Sequence, residues 1–80
     1  MSSSAIRVEP RAVEVTCSDT ALHVRLADGR ELIVPLEWFP RLRAASTNQL
    51  RQYRLLGGGV GIHWPDLDED LSVEGLLATH

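Results

Sequence analysis

The segment GIHWPDLDED, Gly61 to Asp70, places one histidine and four carboxylates within ten residues. Alternating acids of this kind hold hard cations, and a histidine beside an acid moves protons. Asp66, Asp68 and Asp70 reproduce the opening D-x-D-x-D of a calcium loop. The rest of that loop is missing. The turn position that needs glycine is Leu71, and the closing bidentate glutamate would fall on Leu77. His63 with Asp66, Asp68 or Asp70 is the remaining candidate for chemistry, as the proton-handling group of a small hydrolase or metal-dependent enzyme. Such a site requires these side chains to converge on one concave point. If they fan outward, the segment is the solvated end of a strand running into a helix.

Other chemistry-bearing types are scattered. GGGVG, Gly57 to Gly61, lacks the G-K-[ST] ending of a phosphate loop, and Trp64 stands where a dinucleotide fingerprint needs its third glycine. These glycines fit a hairpin bend with unusual dihedrals. Cys17 is expected on the apolar face of a strand, as an inert small hydrophobe. A chain of eighty residues is also expected to have little room for a ligand pocket. No complete catalytic set, cofactor motif or metal motif is legible.

Composition narrows the class. Eighty residues make one domain, 1–80, with residues 1–7 (MSSSAIR) as a flexible start. No apolar run reaches the roughly 18 residues of a membrane span, and the N-terminus has no secretory h-region. With one cysteine there is no internal disulfide, so the expected compartment is the cytoplasm. The net charge of −3 makes nucleic acid an unlikely partner for this chain alone. From Trp38 to Pro65 the chain carries Arg41, Arg43, Arg51 and Arg54 and no acid; from Asp66 to Glu74 it carries five acids and no base. Either the two blocks face each other within the fold, or they form a two-signed surface for a partner or a second copy.

The elements that must position these groups follow from periodicity. AVEVTCSD alternates, with Val13, Val15 and Cys17 on one face. In ALHVRLADGRELIVPL, Leu22, Val24 and Leu26 share a face, Asp28-Gly29 makes a turn, and a return strand from Glu31 ends at Pro35. LEWFPRLRAAS reads as a helix starting near Glu37, because Pro40 fits only in a first turn, with Trp38, Leu42 and Ala45 on one face. Ser46 or Thr47 caps a further turn through Leu50. YRLLGGGVGIHW reads as a second hairpin returning Val60, Ile62 and Trp64 on one face. Ser72 caps a last helix, Val73 to Ala78, that buries Val73, Leu76 and Leu77. The order is βββ-α-ββ-α. This is α+β, a small antiparallel sheet packed with one or two short helices.

Trp38 and Trp64 each lie next to or near a proline. They either close a small core or sit at a rim beside Tyr53 and Arg54, the residue types enriched at binding hot spots. Two long runs, LADGRELIVPLEWFPRL and GGGVGIHWPDLDEDLSVEGLL, resemble the bacterial family DUF2442 from about Val8 to the C-terminus. The resemblance implies a small α+β bacterial domain without established enzymatic activity. It also implies a second small protein encoded nearby, in an arrangement like a toxin–antitoxin pair. Some relatives add a helix-turn-helix segment, for which a chain ending at His80 has no room. Arg30, Trp38, Arg41, His63, Trp64, Asp66, Asp68 and Asp70 fall on the shared runs as interface or fold-defining candidates, and Arg54 joins them from the arginine segment.

The expected function is therefore a non-enzymatic protein-interaction module, antitoxin-like or regulatory, with a protein partner or a second copy of itself and no cofactor. The alternative is the small hydrolase or metal-dependent enzyme built on His63.

Overall fold

The computed structural model describes residues 8–79; the flexible start expected over residues 1–7 and His80 lie outside the described residues. Strands β1 (Ala12–Cys17), β2 (Ala21–Leu26) and β3 (Glu31–Pro35) form one antiparallel meander. A 3-10 turn, Leu36–Trp38, leads into two short helices, α1 (Pro40–Arg43) and α2 (Thr47–Leu50). Strands β4 (Arg54–Leu56), β5 (Gly61–Trp64) and β6 (Glu69–Ser72) form a second antiparallel sheet in that order, and α3 (Val73–Thr79) closes the chain. The α+β class holds, with two three-stranded sheets where one was expected.

The extra strand comes from the acidic segment. After a 3-10 turn at Pro65–Leu67, Asp68 adopts a left-handed conformation, φ 50°, and redirects the chain. Glu69 to Ser72 then pairs back against β5, with Ile62 opposite Leu71 and His63 opposite Asp70. Aspartate tolerates this conformation better than most side chains. Leu71 is the only large apolar residue of β6, so periodicity gave no sign of a strand.

Local chemistry explains most other boundaries. At the β2–β3 turn, the Gly29 N–H donates to the Leu26 carbonyl (3.0 Å) and the Leu26 N–H to the Arg30 carbonyl (2.8 Å). Gly29 has φ +94°, which a side chain would oppose. Ser46 and Gln49 form a reciprocal capping box on α2. The Ser72 hydroxyl accepts from the Gly75 N–H (2.9 Å) at the start of α3, where Val73 and Leu76 are buried as expected.

Three expectations fail for identifiable reasons. A β-bulge between Ala12 and Glu14 shifts the register of β1, so Val13 faces outward while Ala12 and Val15 face the core. The helix expected near Glu37 starts at Pro40, because proline disfavours helical geometry in the residue before it and Phe39 is extended (φ −128°, ψ 85°). Trp38 therefore does not share the face of fully buried Leu42; it is 50% exposed. Val60 lies in the β4–β5 turn, outside the alternation, and is also 50% exposed.

One core serves both sheets. Leu22, Val24, Leu26 and Val34 of the first sheet join Leu42 of α1, Ile62 and Trp64 of β5, and Val73 of α3. Burying each aliphatic side chain contributes about 1.5–3 kcal/mol. Polar contacts fix the seam between the sheets. The Ala12 N–H donates to the Gly59 carbonyl (2.7 Å), and the Val15 N–H donates to the Tyr53 hydroxyl (3.1 Å). The Trp64 indole N–H donates to the Leu50 carbonyl (3.2 Å), and the Trp64 ring tilts at 51° against Tyr53, centroids 6.4 Å apart. Gly59, φ +113°, lies so close to β1 that a Cβ would overlap the Ala12 carbonyl oxygen.

The seam predicts a graded series in denaturant unfolding. Tyr53→Phe should cost about 1–3 kcal/mol by orphaning the Val15 N–H. Gly59→Ala should destabilise more than Gly58→Ala, although both positions have positive φ, because only Gly59 abuts the backbone of β1.

Candidate functional site

The outer face of the second sheet gathers three of the nominated side chains. Antiparallel register sets Arg54 of β4 opposite His63 of β5, and His63 opposite Asp70 of β6, so the three form one row across the sheet. Nδ1 of His63 is in direct hydrogen-bond contact with the Asp70 carboxylate. The Arg54 guanidinium has no ion pair or hydrogen bond among the described residues. The next row is Leu56, Gly61 and Ser72. Leu56 is 45% exposed, so with Val60 in the adjoining turn it offers apolar surface beside the charged row.

At the other end of β6 the basic and acidic blocks meet. The Arg41 guanidinium donates to the Asp68 carbonyl and lies 3.8 Å from the Glu69 carboxylate. Arg43 pairs with Glu37 at 3.4 Å, within its own segment. Arg51, like Arg54, has no ion-pair partner among the described residues. Arg41 thus joins the two blocks within the fold, while Arg51 and Arg54 have no ion pair among the described residues.

The remaining candidates separate. Arg30 sits in the β2–β3 turn and donates through Nε and Nη2 to the Asp28 carboxylate. Trp38 is half exposed after β3. Trp64 is fully buried, which removes it from any surface and leaves it a fold-defining residue. Asp66 and Asp68 are exposed, and their carboxylates have no hydrogen bond or ion pair among the described residues.

The alternative site built on His63 needed convergence. Of Asp66, Asp68 and Asp70, only Asp70 reaches the imidazole. Among the described residues, no three His, Cys, Asp or Glu side chains come close enough to hold a metal ion. Cys17 is half-buried, and burial pushes its thiol pKa up, so it stays protonated at neutral pH.

One feature overturns a sequence expectation. A groove of about 520 Å³, open to solvent, runs between β1 and the two short helices. Its lining includes Cys17, Arg43, Leu50, Arg51 and Tyr53. A second basin of about 540 Å³ shares Asp19, Leu36 and Arg43 with it and adds Ile33 and Pro35. Leu42 and Arg43 of α1, Ala45 between the helices, and Thr47 and Leu50 of α2 form the helical wall of the groove. None of His63, Asp66, Asp68 or Asp70 lines either basin.

A family model described as "Protein of unknown function (DUF2442)" matches residues 12–79. The chain belongs to the DUF2442 family. Its fold is similar to that of a protein of unknown function from Rhodospirillum rubrum ATCC 11170, with 36% identity, a TM-score of 0.75, and coverage of 90% of this chain and 89% of that one. It is also similar to an uncharacterized protein from Chromobacterium violaceum, with 27% identity, a TM-score of 0.71, and coverage of 85% of this chain and 64% of that one. No curated protein matches the chain. No helix among the described residues is long and apolar enough to cross a membrane.

The Arg30 turn yields a pH prediction. The hydrogen-bonded Arg30 guanidinium, helped by the Glu9 and Arg30 N–H groups, outweighs burial and holds the Asp28 carboxyl down to about 2. Because the folded value is depressed, the stabilisation is fully present above the ordinary carboxylate value of 3.8 and is lost as pH falls from there through about 2. An NMR titration of the Asp28 carboxyl should show this midpoint, and Asp28→Asn should remove that part of the acid dependence of stability.

Proposed function

We propose that this DUF2442 domain is a non-enzymatic protein-interaction module, acting in the cytoplasm as an antitoxin-like or regulatory partner of a second small bacterial protein encoded nearby. The observation that carries it is the outer face of the second sheet, where unpaired Arg54 stands beside the His63–Asp70 pair and exposed Leu56 and Val60 border them. An apolar patch bordered by polar groups has the layout of an interface core and rim, and arginine is among the residue types enriched at binding hot spots. Leu56 and Val60 contribute little to the core from these positions, and covering them would each add part of the about 1.5–3 kcal/mol available to a buried aliphatic. Arg54 would serve an acidic group of the partner with a forked contact.

Coexpression of the domain with the product of its adjacent gene, followed by gel filtration, tests this. A stable heterocomplex is expected. The Leu56→Asp, Val60→Asp double variant should weaken it by about tenfold or more while leaving the circular dichroism of the free domain unchanged. Separate elution at every concentration, or a complex indifferent to the double variant, would contradict the assignment of this face.

A further inference from the structure

The two basins differ in character, one beside β1 and the other at the β1–β2 turn and the end of β3, and neither is lined by Arg54, His63 or Asp70. The basin between β1 and the short helices is lined by Arg43 and Arg51 and by the hydroxyl-bearing residues Thr16, Ser18 and Thr47. The adjoining basin has more apolar than polar wall, with Ala21, Ile33 and Pro35 beside the carboxylates of Asp19 and Glu37. Asp19, Leu36 and Arg43 line both, so the two adjoin at these residues. The charge at the polar end is available. Arg51 has no ion pair among the described residues, and Arg43 has only the exposed Glu37 at 3.4 Å, a solvent-screened contact that a ligand can displace. Against the two arginines stands one carboxylate lining that basin, Asp19.

We infer that this bipartite groove is a binding site for a small amphipathic carboxylate, its anionic head in the basin of Arg43 and Arg51 and its apolar tail across Leu36 toward Ile33 and Pro35. Three features select that class. Guanidinium groups match the planar geometry of a carboxylate through paired N–H donors. Thr16 and Thr47 add hydroxyl groups at the same end, the Ser18 hydroxyl being engaged with the backbone of Thr20 and Ala21. The apolar basin gives affinity to a hydrocarbon tail and none to a simple inorganic anion. Each basin, at about 520–540 Å³, falls in the size range of small-molecule sites.

The test is an NMR titration of the whole chain with sodium octanoate, with acetate and octylamine as the headgroup-only and cationic controls. Saturable shifts are expected for the amides of residues 15–19, Ile33, Val34, Leu36 and residues 43–51 with octanoate. Acetate, without a tail, and octylamine, with the wrong charge, should give no saturation over the same range. Arg51→Ala and Arg43→Ala should each weaken octanoate by about tenfold, the loss of one charge-assisted hydrogen bond. Ile33→Ser should weaken it as well. All three side chains are solvent-exposed at least in part, and an unchanged spectrum away from the groove shows that the fold persists. Absence of saturation by octanoate, equal binding of octylamine, shifts confined to the outer face around His63, or indifference to both arginine variants would each overturn the inference.

Discussion

The structure depends on how two three-stranded sheets are held against each other. Each contributes buried side chains to one common core, so each covers apolar surface of the other. Trp64 lies fully buried in that core, its indole N–H satisfied by the Leu50 carbonyl and its ring against Tyr53. Tyr53 then caps the Val15 N–H of β1, and Gly59 brings the β4–β5 turn onto Ala12. The β1 edge is thereby tied to Tyr53 and Gly59, the residues that flank β4.

That constraint accounts for where the polar residues ended up. With Ile62 and Trp64 committed inward, strand alternation sends His63 outward, and register adds Arg54 and Asp70 on either side of it. The acidic segment is likewise claimed by structure. Asp68 turns the chain and lends its carbonyl to Arg41, Glu69 approaches the same guanidinium, and Asp70 partners His63. A group of acids that resembles a metal loop in one dimension is thus spread along a turn and a strand in three.

Much of this was legible in the sequence, and the exceptions share a cause. The strands of the first meander, a cap at Ser46 or Thr47 and the start of the last helix at Val73 rest on local rules, namely alternation, turn chemistry and capping, and the structure has all of them. The long runs from Leu26 and from Gly57 also pointed to the right family. The bulge at Val13, strand β6 and the half-exposed Trp38 depend on tertiary contacts or on a proline's effect on its neighbour, which hydrophobic patterning does not record. Among candidate site residues, His63 and Asp70 were recognisable as neighbours in sequence, but their pairing with Arg54 required the register of a third strand. The groove does not follow from chain length, because space beside β1 depends on how α1 and α2 pack against it.

The central claim is that the seam makes the two sheets one cooperative unit. Native-state hydrogen exchange of Val24 in the first sheet and Ile62 in the second tests it most directly. Matching protection at both amides, equal to the free energy of global unfolding, is the predicted result. An Ile62 amide that exchanges through a separate, lower-energy opening while Val24 stays protected would contradict it.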